Sequence, residues 1–218
     1  MGRDHAIKRR NCQDACRAGI VEASAFGIVS DGCGQGSGSE LGAQLSSLAA
    51  EGAIRRALAE GAPLEDLPLR VERSVLRSLG AVAAAAPKEV VGAWAVEHLC
   101  ATLLFFVVRE GRAIVVAWGD GLALVDDEAH VFDEDNRPSY LAYDLLGGRP
   151  SVRVVELETP RRVAVATDGL DADILRRVVA SPRADLSRAL RVAQNEGALE
   201  DDGAVALVEL LDDVAVGS

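Results

Sequence analysis

Apolar and polar positions follow two different periods along this chain, and the switches between them mark out its elements. Residues 26–30 form a short apolar run, predicted as a buried strand, and a Gly-rich turn from Gly32 to Gly38 follows it. From Ser39 and Glu40 the period lengthens. Leu41, Leu45, Leu48, Ala49, Ile54 and Leu58 recur at helical spacing until Gly61 stops the pattern. Residues 67–86 predict a second helix, with Val71, Val75, Leu79 and Val82 on one face and Pro87 beyond its end. Residues 89–98 allow a short third helix. The character then changes to strand-like segments at 99–108, 112–118, 122–125 and 130–132, separated by turn signals at Glu110-Gly111, Gly119-Asp120-Gly121 and Asp126-Asp127. Such close spacing predicts an antiparallel meander. A helical turn at 140–146 ends at Gly147-Gly148; strands at 152–157 and 162–167, a helical pair around Pro182 and a last strand at 204–210 complete the pattern. Helices grouped between β-rich blocks predict an α+β fold, antiparallel sheet covered by helices, over a doubly wound parallel sheet.

Composition narrows the class. With 218 residues, 49% of them hydrophobic, the chain suits a single domain spanning 1–218 and can build a core, which excludes a disordered protein. The longest apolar stretch, residues 99–108, is half of the about 20 residues that a spanning helix needs. The charged N-terminus shows no secretory pattern. A soluble cytoplasmic protein without membrane contact is therefore expected. The net charge of −11 argues against a nucleic-acid partner, which would need a basic face. Cys12, Cys16, Cys33 and Cys100 form no Cys-x-x-Cys, and His5, His98 and His130 lack zinc-ligand spacing, so reduced and mostly buried thiols are expected.

The excess of acid acquires a location in four Asp-Gly pairs: Asp31, Asp120, Asp168 and Asp202 are each followed by Gly. One such pair is ordinary turn chemistry. Three of these follow strand-type runs, which places a carboxylate at a strand's end. If those strands are neighbours, the carboxylates meet and repel, and a hard divalent cation with oxygen ligands relieves the repulsion. The residues alone leave a metal site and ordinary turns equally open.

The ordered set of motifs resembles the metal-dependent Ser/Thr protein phosphatases of type 2C, in a compact bacterial form. The blocks are Asn11-Cys12-Gln13-Asp14; Val29-Ser30-Asp31-Gly32-Cys33-Gly34 with Ser39-Glu40-Leu41-Gly42-Ala43; Trp118-Gly119-Asp120-Gly121; Ala166-Thr167-Asp168-Gly169-Leu170; and Asp201-Asp202-Gly203-Ala204-Val205. The resemblance implies two stacked antiparallel sheets flanked by helices on both faces. It implies hydrolysis of phosphoserine and phosphothreonine esters with two Mg2+ or Mn2+ ions, a phosphoprotein substrate and a cognate Ser/Thr kinase. By motif position, Asp31, Asp168 and Asp202 and the Gly32 carbonyl match metal ligands, and Asp14 matches the residue that holds metal-bound water. Asp120, with Asp168, matches a weaker third site. Arg9, five residues before Asp14, matches the arginine that grips the substrate phosphate, with Arg10 as its substitute.

Departures qualify the match. Gly36 stands where many members carry a His that protonates the leaving group, and Gln13 where many carry an acid. His5 is the nearest replacement for that acid in sequence. Gly121 replaces the usual Ser and Gly203 the usual Asn, but neither change removes a carboxylate. The short span from Asp120 to Asp168 implies a small flap over residues 133–146. Two other readings stay open: an inactive phosphatase fold serving as a binding module, and a nucleotide site in the Gly32–Gly38 loop. The loop satisfies Gly-x-Gly-x-x-Gly in no register, and there is no P-loop Lys.

Overall fold

The computed structural model describes residues 12–134, 138–180, 186–199 and 201–210. Strands β1 (Asp14–Val21), β2 (Ser24–Asp31), β3 (Leu103–Arg109), β4 (Arg112–Trp118) and β7 (Arg153–Glu158) make one sheet, in the order β1-β2-β3-β4-β7. Strands β5 (Gly121–Val125), β6 (Glu128–Phe132), β8 (Arg162–Ala166) and β9 (Val205–Glu209) make a second, in the order β6-β5-β8-β9. Every strand pair is antiparallel. Helices α1 (Glu40–Ala59), α2 (Leu67–Ala83) and α3 (Val91–Leu99) come between β2 and β3; α4 (Ala172–Val179) and α5 (Leu186–Asn195) come between β8 and β9.

The layers follow from side-chain alternation along the strands. In β3, Leu103, Phe105 and Val107 face the first three helices, sharing a core with Ile28, Ile114, Val116 and Trp118. Leu104, Phe106 and Val108 face the other way, onto Ala123, Val163, Val165 and Ala206 of the second sheet. Both faces are dry, so the strand reads as a continuous apolar run. The outer face of the second sheet, with Leu122, Leu124 and Ala164, is covered by Leu175, Val178 and Ala193 of α4 and α5. The architecture is the helix–sheet–sheet–helix sandwich that the resemblance implied.

The elements depart from the sequence pattern in several places. Strand β1 has no counterpart among the predicted elements. It pairs on one side only, at the sheet edge, and its alternation of Arg, Ala and Gly carries little apolar signal. Helix α1 buries the expected face only in part: Ile54 and Leu58 are buried and Leu45 and Ala49 pack on the core, but Leu41 and Leu48 are exposed, while Ala43, Ser46, Ser47, Ala50, Ala53 and Ala57 are buried. Small side chains let the helix lie close on β1 and β2. Helix α2 stops at Ala83, and β3 begins at Leu103, because Leu99 belongs to α3 and Ala101 bridges to Gly32. The expected meander is broken at Gly119-Asp120. There β4 pairs with β7 while β5 opens the second sheet. Of the four thiols, all free, only Cys100 is buried; Cys12 and Cys16 lie exposed at the β1 edge. No helix among the described residues is long and apolar enough to cross a membrane.

Candidate functional site

The sandwich gathers the motif aspartates at one end. Asp14 opens β1 and Asp31 closes β2, and the antiparallel register places them directly opposite one another. Thr167 and Asp168 follow β8, and Asp202 lies just before β9, its neighbour in the second sheet. The chain runs from one sheet to the other through Asp120. Five separate stretches of sequence thus deliver acid to the same end.

Several hydrogen bonds fix the arrangement across the two sheets. The Gln13 N–H donates to Asp202 Oδ2 at 2.9 Å. The Thr167 hydroxyl donates to Asp14 Oδ2 at 2.7 Å and accepts from the Ala204 N–H at 2.9 Å, tying β1, β8 and β9 at one atom. The Asp31 N–H donates to Thr102 Oγ1 at 3.0 Å, and the Thr102 N–H returns a bond to the Asp31 carbonyl at 2.8 Å. Gln13 Nε2 donates to the Gly36 carbonyl at 3.2 Å and to Ser39 Oγ, which bracket the Gly-rich turn. Gly169 is required by the close approach of the two strand ends, because a Cβ there would overlap the Asp202 carbonyl oxygen.

The electrostatics are those of crowded carboxylates. Burial pushes the Asp14 carboxyl up to about 6, opposed by the hydrogen bond from Thr167 and reinforced by the Asp202 and Asp168 charges. Asp31 is driven well above the usual carboxylate range by burial, then by Asp14, Asp168 and Asp201. Burial also raises Asp168, with Asp201 and Asp133 adding repulsion. Asp120 is raised by burial and by Asp133, Asp168 and Glu134, although it accepts the Glu134 N–H at 2.7 Å. Asp120 and Asp168 line a common cleft of about 340 Å³ with Asp133 and Leu170.

These shifts have a measurable consequence. With divalent cations chelated, Asp14 holds its proton up to about pH 6 when folded and only to 3.8 as an ordinary carboxyl. The native state binds the extra proton in that window, so stability is lost as pH rises through the folded value. The thermal midpoint in chelator is expected to rise from about pH 7.5 to about pH 5.5, with Asp14 alone contributing on the order of 1 kcal/mol. Differential scanning fluorimetry across that range checks it; a midpoint that falls steadily on acidification contradicts it.

Whether a metal fits can be judged from the atoms present. Asp14 Oδ1 is buried without a hydrogen-bond partner, and the charges that press on it are further carboxylates. The donors are hard oxygens, which suit Mg2+ or Mn2+ rather than zinc. Among the described residues no three His, Cys, Asp or Glu side chains already form a closed metal-holding group. The carboxylates share one field and one end of the fold; the donor set fits a hard cation. Arg9, Arg10 and His5 lie outside the described residues.

Sequence reasoning missed Thr167 as the clamp on Asp14, Thr102 behind Asp31, and Asp133 and Asp201 as contributors to the field. Thr167 and Asp201 sit inside quoted motifs, whereas Thr102 and Asp133 carry no local signal. The His98 ring lies against Gly38 of the Gly-rich turn and 4.9 Å from the Trp94 ring.

The protein phosphatase 2C family profile matches residues 1–212. The Staphylococcus aureus serine/threonine phosphatase Stp1 superposes with a TM-score of 0.64 at 13% identity, over 93% of this chain and 90% of that one. The Mycobacterium tuberculosis serine/threonine phosphatase PstP/Ppp gives 0.62 at 21% identity, over 92% of each chain. A protein solved in work on the bacterial stressosome, a modular system adapted to control secondary messenger signalling, gives 0.58 at 17% identity over 90% of each. No curated protein matches the chain.

Proposed function

Since the chain belongs to the protein phosphatase 2C family, we propose that it hydrolyses phosphoserine and phosphothreonine esters of proteins at the carboxylate cluster, with Mg2+ or Mn2+. The observation that carries this reading is the convergence of Asp14, Asp31, Asp168 and Asp202 from four stretches of chain, with Asp14 Oδ1 buried and unpaired.

Asp31, Asp168, Asp202 and the Gly32 carbonyl would hold two cations, and Asp120 with Asp168 a third. Divalent cations there would supply Lewis acidity, polarising the phosphoryl group and making water acidic enough to react near neutral pH. Asp14 would orient the attacking water through its free oxygen while Thr167 fixes the other oxygen. Thr102 holds the Asp31 backbone, and the Gln13 N–H fixes one Asp202 oxygen, so these two aspartates are held before substrate arrives. Arg9 would bind two phosphate oxygens with its planar fork. A signalling role in the cytoplasm, opposite a Ser/Thr kinase, follows from the same reading; likeness to the stressosome protein supports it.

Turnover of p-nitrophenyl phosphate and of a phosphothreonine peptide, with Mn2+ or Mg2+ and then with chelator, tests the proposal. Turnover is expected with metal, loss on chelation and recovery on re-addition. Absence of turnover with every metal would leave the fold as a binding module, and metal-independent turnover would overturn the site.

A further inference from the structure

The chain carries 34 acidic residues against 23 basic, yet four guanidinium groups crowd one small cleft away from the carboxylate cluster. The cleft lies between α1 and α2, holds about 220 Å³, and is lined by Arg56, Glu60, Arg70, Arg73, Ser74 and Arg77. Arg70, Arg73 and Arg77 fall on one stripe of α2, at spacings of about one and two helical turns. Beneath them Val71 and Val75 are fully buried, and the Ser74 hydroxyl donates to the Ala49 carbonyl at 3.1 Å. The floor is therefore rigid, and the arginines stand on it facing solvent.

Only part of this charge is neutralised. Arg70 Nη1 donates to Glu60 Oε2 at 2.6 Å. Arg56, Arg73 and Arg77 form no ion pair with any described residue, in contrast to Arg17, Arg55, Arg112 and Arg153 elsewhere on the surface. Like charges gathered in one cleft repel, and a dianionic group relieves them while matching the fork geometry of guanidinium. The space suits one phosphate and its neighbouring chain, and the overall charge of −11 disfavours a nucleic acid.

We propose that this cleft docks a phosphorylated segment of a protein substrate, apart from the segment being hydrolysed. The proposal rests on the reading of the protein as a phosphoprotein phosphatase. Ser39, at the start of α1, lies against Gly32. Arg56 is about 25 Å further along the helix axis, at 1.5 Å per residue. A docked phosphate and a reacting one are therefore at least about eight extended residues apart. The substrate class is a multiply phosphorylated protein with well-separated sites.

The test is fluorescence anisotropy with a fluorescein-labelled peptide carrying one phosphoserine, in chelator, where the metal-free carboxylates repel phosphate. Arg73→Glu with Arg77→Glu is expected to weaken binding on the order of tenfold or more, with p-nitrophenyl phosphate turnover unchanged in metal. Arg73→Gln with Arg77→Gln serves if the charge reversal fails to fold. Equal affinity in a folded variant overturns the docking site, as does equal binding of the unphosphorylated peptide. Cleft-dependent peptide binding by a protein that turns over no ester would remove the phosphatase reading and leave the docking site. Normal turnover with affinity blind to both variants would remove the docking site alone.

Discussion

Asp31→Asn is expected to abolish turnover while making the metal-free protein more stable. The carboxyl of Asp31 faces Asp14 across the β1–β2 register, and burial and three neighbouring aspartates press on its charge. Asparagine keeps the shape and leaves the backbone bonds to Thr102 in place. It removes a negative charge that a cation would need, so the loss in kcat should exceed the about hundredfold typical of residues one step removed from a metal. The same change removes repulsion from a crowded site, and each 1 kcal/mol gained raises the midpoint by about 2–4 °C in a protein of this size. Steady-state kinetics and fluorimetry in chelator read the two effects together. Full activity in the variant would remove Asp31 from the site; lost activity with a lowered midpoint would point to damage to the fold.

The second large effect concerns the leaving group. Phosphoserine peptides are expected to react more slowly, relative to aryl phosphates, by on the order of 10²–10⁴-fold than in an enzyme with a placed general acid. A nitrophenolate leaves unaided, whereas a serine alkoxide needs a proton. The Gly-rich turn offers no side chain at position 36, and none can be added there without movement. A Cβ on Gly36 would overlap the Glu97 carbonyl oxygen, while Gln13 Nε2 holds the Gly36 carbonyl. Gly36→His is therefore expected to destabilise the protein rather than restore an acid. The measurement is kcat over phenyl phosphates of rising leaving-group pKa, in wild type, His5→Ala and His98→Ala. A steep decline in all three agrees with an absent acid; a flat line that turns steep in one variant identifies that histidine as the acid and overturns the expectation.

The strand ends were legible because their chemistry is local. An apolar run followed by Asp-Gly marks the end of β2 and of β8 without reference to the rest of the fold. Strand β3 was legible as a strand-like segment for the same reason, as a run with no polar break, although the sequence placed its start four residues early. Strand β1 was not, because an edge strand with alternating Arg, Ala and Gly leaves little hydrophobic trace. Helix α1 was legible at Ile54 and Leu58 but not at Leu41 and Leu48, because leucine dominates a periodicity count while close packing on a sheet selects alanine and serine. The sheet switch at Asp120 was invisible, since a tight Gly-Asp-Gly turn looks the same whether the next strand pairs back or crosses over. The Thr167 clamp depends on a partner 153 residues away, which no local pattern reports.

That separation bears on when the site can exist at all. Asp14 is held by Thr167, and the Gln13 backbone by Asp202, 189 residues later. Contacts of such long range form late, after the entropy of closing the intervening loops has been overcome. On the ribosome, residues 13 and 14 emerge long before Asp202, just ahead of β9, provides their last partner. The pocket is thus completed only once Asp202 has been synthesised, and a nascent chain that stops short of it carries every helix of the first layer without an assembled acidic cluster.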